Sequence, residues 1–309
     1  MFKSTDIMRA GEVLTYVGTA RGGVVQRPLA TGFDTWDRAC DETGGRGVGD
    51  WWYTLIGGAS NAGKTQLARW LARQAMEAGG TPAIITMEVG TAALQRHFYS
   101  NLTSFGYYDL LPHKWDRGSE AELKARREKL VAEVTAQGGD KPLTMVITEA
   151  EGRPTIDWIV SEAEGLLEET GITHLFVDHA QLIKSPTGMD IAAAAEELSE
   201  RMRIFAHKKR VCTFMLSQLN RGASRQRDQS PTMHDLWGGT SMESNANQVI
   251  LLDHSRSAAD DRSPHILRTY LLLDKNREGP AKLDIPVEVN FRTGVWREAS
   301  PDEEELWPT

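Results

Sequence analysis

Five short stretches are apolar on both faces: Trp52–Ile56, Ala83–Met87, His174–Val177, Val211–Leu216 and Val249–Leu252. Runs of this length and character are expected of strands covered by helices on either side. Between them the apolar period changes to that of a helix. Leu67, Trp70, Leu71 and Ala75 form one stripe, closed by Gly79-Gly80. Ile156, Ile159, Val160, Ala163 and Leu167 form a second, ended by Gly171. Ile191, Ala194, Ala195, Leu198, Met202 and Phe205 form a third. Ser119 and Glu122 make a capping box that opens a charged helix to about Val134. Core packing accounts for all of these apolar positions. Strands alternating with helices from Thr31 onward predict βαβ units and a mostly parallel sheet. The rhythm changes after Leu252. Leu267–Asp274 and Leu283–Phe291, joined by KNREGPAK, read as a β-hairpin at the sheet edge.

The 309 residues carry 35 basic and 43 acidic side chains, a net charge of −8, with 40% apolar and 25% charged residues. This is a globular balance, not a disordered one. No apolar run approaches the roughly 20 residues that span a bilayer, and the start, MFKSTDIMRAGEV, has no secretion-signal core. Cys40 and Cys212 are too few and too far apart for a metal site or a disulfide framework, so a cytoplasmic chain is expected. The acidic balance argues against coating nucleic acid non-specifically but leaves room for a local basic groove. Three segments are predicted: a linker or oligomerisation segment over 1–30, with an amphipathic stretch Asp6–Tyr16, one α/β domain over 31–297, and an acidic tail over 298–309.

The chemistry begins at Gly58-Ala-Ser-Asn-Ala-Gly63-Lys64-Thr65, which fits G-x-x-x-x-G-K-[ST]. A strand runs into this turn and a helix runs out, so backbone N–H groups and the helix dipole converge on an anion. Gly58, Ser60, Asn61, Ala62, Gly63, Lys64, Thr65 and Gln66 are therefore the predicted nucleotide-binding residues. Lys64 is expected at the β/γ-phosphates and the Thr65 hydroxyl on Mg²⁺.

Hydrolysis also needs a second carboxylate near the metal and a group that orients water. THLFVD ends in Asp178, placed to reach Mg²⁺. AIITM runs into Glu88, placed to polarise water. VCTFML runs into Ser217-Gln218, whose amide can meet the γ-phosphate. Glu, Asp and Gln at three strand ends beside such a turn point to a nucleoside triphosphatase.

TGFDTWD, the phosphate-binding turn, ITMEVG, HLFVDHAQLI, SQLNR, PTMHDLWGGTSMESNANQVILL and KNREGP follow one another in the order seen in DnaB-type hexameric replicative helicases. Over residues 25–291 the chain resembles their RecA-like motor domain. The resemblance implies an ATP- and Mg²⁺-dependent, ring-forming enzyme, a hexamer, acting on single-stranded DNA with replication or loader proteins as partners. It implies Glu88 as catalytic base, Asp178 as the Walker B acid and Gln218 as γ-phosphate sensor. Lys275 and Arg277 match finger residues that reach the neighbouring subunit's site. On the residues alone, that pair could equally be a solvated turn.

Two departures stand out. The family's amino-terminal helical domain has no counterpart here, so primase binding through it is not expected. The family's D-L-R-E-S-G-S loop is Asp235-Leu-Trp-Gly-Gly-Thr-Ser241 in this chain. Trp237 could stack on a base or pack against a neighbouring subunit, while Gly238 and Gly239 could offer N–H groups to phosphates. Arg221, Arg225 and Arg227 form the basic cluster just before this loop. The alternatives are a RecA-like ATPase that does not unwind DNA, of the recombinase-mediator or clock type, and a nucleotide-gated scaffold.

Overall fold

The structure is a computed structural model that describes residues 29–41, 47–88, 90–138, 145–150, 152–220, 230–260, 263–300 and 302. Most of the linker segment, the Arg221–Arg227 cluster and nearly all of the acidic tail lie outside these residues.

In chain order the elements are α1 Asp34–Asp41, β1 Tyr53–Gly58, α2 Lys64–Glu77, β2 Pro82–Thr86, α3 Thr91–Leu102, α4 Pro112–Trp115, α5 Glu120–Gly138 and β3 Val146–Glu149. Then come α6 Ile156–Thr170, β4 His174–Asp178, α7 Ile191–Lys209, β5 Cys212–Gln218, α8 Gly239–Asn245, β6 Gln248–Asp260, β7 Ser263–Asn276, β8 Leu283–Asn290 and β9 Val295–Glu298. Among the described residues the nine strands form one sheet in the order β3-β2-β4-β5-β1-β6-β7-β8-β9. Pairing is parallel from β3 through β6, then antiparallel from β6 to β9.

The two-faced apolar runs account for this layering. Along β1, β2, β4, β5 and β6, one alternate set (Tyr53, Leu55, Ile85, Val177, Met215, Leu251) packs under α6, α7 and α8. The other set (Ile56, Ile84, Phe176, Phe214, Ile250) packs against α1, α2 and α3. Phe176 and Phe214, on adjacent strands, stack with centroids 4.6 Å apart. A third small cluster of Tyr99, Phe105, Leu110, Trp115 and Leu130 seats α5. The capping box is present, with the Ser119 N–H donating to Glu122 at 2.7 Å and the Glu122 N–H to the Ser119 hydroxyl at 3.3 Å.

The structure corrects several sequence-level expectations. Val249–Leu252 is only the buried start of β6, whose continuation to Asp260 is too polar to read as a core strand. The β7–β8 hairpin is present, with Leu273 opposite Leu283, but β9 pairs beyond it and forms the edge. The short edge strands β3 and β9 carry too few apolar positions to announce themselves. Ile191 is 36% exposed, because it sits in the first turn of α7, where the helix has not yet reached the sheet. Among the described residues no helix is long and apolar enough to cross a membrane.

His174 is buried in β4, its Nδ1 2.8 Å from the Thr173 hydroxyl, and burial pushes its pKa down to about 4. Unfolding returns the ring to an ordinary value near 6.5, so the unfolded chain binds the extra proton. The neutral ring's contribution is complete above that value and is lost as pH falls toward about 4. Urea unfolding from pH 7 to 4.5 should show a loss on the order of 3 kcal/mol from this group. His174→Asn should flatten that slope.

Candidate active site at the parallel strand edge

Four consecutive strands, β2-β4-β5-β1, bring the predicted residues to one edge. Thr86 stands opposite Asp178, and Gln218 opposite Gly58. The row of strand ends, Glu88 just past β2, Asp178 closing β4, Gln218 closing β5 and Gly58 closing β1, spans about 14 Å at ordinary strand spacing. That is room for a triphosphate with an attacking water at its far end.

The phosphate turn closes on Gly63, whose φ of +91° is accessible to glycine without strain. Ser60 and Asn61 are exposed and Ala62 is buried. The Lys64 ammonium donates to the carbonyls of Gly58 at 2.9 Å and Ala59 at 2.7 Å, which holds it at the mouth of the turn. Burial pulls its pKa down to about 8, opposed by the charges of Asp178 and Glu88. A phosphate placed there would restore the cation. Gln66 turns its side chain inward, where its carbonyl oxygen accepts from the buried Arg69. The Gln66 side-chain oxygen is thus engaged within the protein, while its amide nitrogen is buried without a partner among the described residues.

The Thr65 hydroxyl donates to Asp178 Oδ2 at 2.7 Å, and Oδ1 of the same carboxylate is buried without a hydrogen-bond partner among the described residues. A hydroxyl beside a carboxylate with one unmet oxygen is the hard, oxygen-only donor set that Mg²⁺ favours. Burial pushes the Asp178 carboxyl up, while the Thr65 hydroxyl and the charges of His179 and Lys64 pull it back. Glu88, with its side chain 54% exposed, faces this pair from the neighbouring strand end. One ligand atom each from Glu88, Asp178 and His179 fall within 4.8 Å of one another.

Sequence reasoning missed His179. Its ring is 3% exposed, with Nδ1 3.2 Å from Glu88 and Nε2 3.1 Å from the Gln218 amide nitrogen. It also missed Gln181, which accepts from the Gln218 N–H at 3.2 Å and donates to the Ser217 hydroxyl at 2.9 Å. Both residues lie within HLFVDHAQLI, and a polar residue directly after a strand-ending Asp shares its edge. That adjacency was the available signal.

A family model for the DnaB-like helicase C-terminal domain matches residues 29–297. The chain belongs to that family. It is 26% identical over 224 residues to the replicative DNA helicase DnaB of Leifsonia xyli subsp. xyli, covering 71% of this chain and 46% of that protein. The chain thus spans about half the length of this relative. A solved ATPase domain superposes with a TM-score of 0.70 at 17% identity, covering 96% of this chain and 97% of that one. A DnaB-like replicative helicase studied with its primase superposes with a TM-score of 0.69 at 17% identity, covering 95% of this chain and 67% of that one. At such identities the structural likeness shows the RecA-like fold.

The remaining expected residues lie elsewhere in this member of the family. Lys275 and Arg277 do not face their own phosphate turn. Asn276 pairs with Gln248, at the start of β6, whereas Gly58 pairs with Leu252, further along the same strand. Four residues of strand and two strand spacings separate the cations from the turn by about 16 Å. Lys275 donates to the carbonyl of Glu243 at 2.5 Å and Arg277 to that of Ser244, both in the last turn of α8. Burial, aided by the charge of Arg277, pulls the Lys275 pKa down.

Trp237 is half-buried, and its N–H donates to the Gln218 carbonyl at 3.0 Å. Gly238 is buried at φ +114°, where a Cβ would lie 2.3 Å from Met242 Sδ, so it serves the turn into α8. Gly239 opens that helix.

Thr65→Ala and Asp178→Asn should each weaken Mg²⁺-dependent nucleotide binding by about 10- to 100-fold, the loss of one charged or metal-ligating contact. Both should leave Mg²⁺-free binding nearly unchanged. Titration of a fluorescent nucleotide with and without EDTA measures the difference.

Proposed function

We propose that the chain is the motor of a ring-forming, hexameric ATP-dependent DNA helicase or translocase that acts on single-stranded DNA. One observation carries this reading. The strand end that would meet the γ-phosphate and the loop that would meet DNA are joined directly by the hydrogen bond from the Trp237 N–H to the Gln218 carbonyl.

In the proposed reaction the triphosphate lies along the N–H groups of residues 60–65 with Lys64 at its β/γ end. Thr65 and Asp178 would hold Mg²⁺, which when bound would supply charge neutralisation to the phosphates. Glu88 accepts a proton from the attacking water, and the Gln218 amide donates to the γ-phosphate. Lys275 and Arg277 then act on a neighbouring copy's phosphates. Their position at the edge opposite their own phosphate turn supports that role, because a cation about 16 Å away cannot serve its own site. The DNA contacts fall to Trp237 as a stacking platform, to Gly239 and its neighbours through backbone N–H groups, and to Arg221, Arg225 and Arg227. The burial of Gly238 fits a supporting part.

Single-stranded DNA should stimulate ATP hydrolysis, and a forked duplex should be opened. Hydrolysis with neither stimulation nor DNA binding at low salt would leave an ATPase of the non-unwinding kind. Arg277→Ala should cut hydrolysis by about 10³-fold or more while sparing nucleotide binding. Mixing it with Lys64→Ala subunits should recover part of the turnover at hybrid interfaces. Normal hydrolysis by Arg277→Ala alone would refute the shared site.

A further inference from the structure

The order β2-β4-β5 places His179, the residue after Asp178, between the ends that carry Glu88 and Gln218. Its ring is almost fully buried, so its nitrogens must find partners within the site. Nε2 lies 3.1 Å from the Gln218 amide nitrogen. An amide nitrogen can only donate, so Nε2 must present its lone pair, and the single proton of the neutral ring must sit on Nδ1. Among the described residues Nδ1 faces two acceptors and no donor: Glu88 Oε2 at 3.2 Å and Asp178 Oδ1 at 3.7 Å. It closes a hydrogen bond of good geometry to neither.

We propose that His179 is a positioning residue that sets the catalytic base and the γ-phosphate sensor relative to each other and passes movement of the Trp237 loop to the base. The inference rests on the hydrolytic reading given above. It requires no change of protonation. The ring takes one N–H of Gln218, which leaves the second for the phosphate. It offers its own N–H to the acids, so that one carboxylate oxygen of the exposed, rotatable Glu88 can be captured while the other remains for water.

The chain of contacts continues outward. Gln181 clamps the Gln218 N–H and the Ser217 hydroxyl, which leaves the Gln218 carbonyl and side chain as the parts that join loop to site. The carbonyl receives the Trp237 N–H at 3.0 Å. A load on the loop would therefore pull on Gln218 and on the ring, and so shift the N–H that the ring offers to Glu88.

The test is a double-mutant cycle on the full chain with Mg²⁺ and ATP, read as kcat and KM with and without single-stranded DNA. His179→Phe keeps the ring volume and removes both nitrogens. It should lower kcat about 10- to 100-fold with KM changed less than about 3-fold. Gln218→Ala added to it should cost little more, because the two act through one contact. His179→Asn, whose amide nitrogen stands near the Nδ1 position, should recover part of the DNA-free kcat but not the response to DNA. This variant carries the test if His179→Phe fails to fold. Wild-type kcat in His179→Phe, or multiplicative losses with Gln218→Ala, would overturn the proposal. So would a His179→Asn enzyme that responds to DNA like the wild type. Glu88→Gln separates the levels. If it turns over normally, the hydrolytic reading has failed. If it is inactive while His179→Phe is not, only the role of His179 has failed.

Discussion

Parallel pairing of β2, β4, β5 and β1 is the constraint from which the site follows. Parallel strands all end at the same edge, and helices covering both faces leave that edge as the place where the chain emerges. Four consecutive ends then deliver a carboxylate, a carboxylate beside a hydroxyl, an amide and a glycine turn in one row. Thr65 meets Asp178 at 2.7 Å because the helix leaving the phosphate turn starts next to the end of β4.

The antiparallel extension does the opposite work. Reversing direction at β7 sends Lys275 and Arg277 to the far edge, where the last carbonyls of α8 hold them. A cation near a helix C-terminus is favoured by the exposed carbonyls there, so the pair is held in place before any neighbour arrives. The same helix begins just after Trp237. Lys275 and Arg277, the Trp237 loop and the end of β5 are thus tied to one short element.

Burial sets the electrostatic character of the edge. Asp178, His179 and Lys64 are all withdrawn from water, and each is pushed by that burial toward its uncharged form while its neighbours pull it back. Such a cluster is poorly satisfied alone and well satisfied by a bound cation with a polyanion. Glu88, on the exposed side with its side chain 54% exposed, keeps a rotational freedom that the buried members of the cluster lack.

Much of this was legible in the order of the residues. Apolar runs two-faced enough to be central strands, a glycine-rich turn of fixed spacing, and acids or amides directly after the strands are all local patterns. Local patterns survive any tertiary arrangement, because they depend on backbone geometry and burial alone. The contribution of His179 was not legible: its meaning comes from strands separated by about 90 residues on one side and 40 on the other being neighbours in the sheet. The edge strands β3 and β9, and the distance between Arg277 and its own phosphate turn, likewise depend on strand order and direction. Hydrophobic periodicity reports which face of a segment is buried, but which strand lies beside it is settled by how the helices cross over the finished sheet.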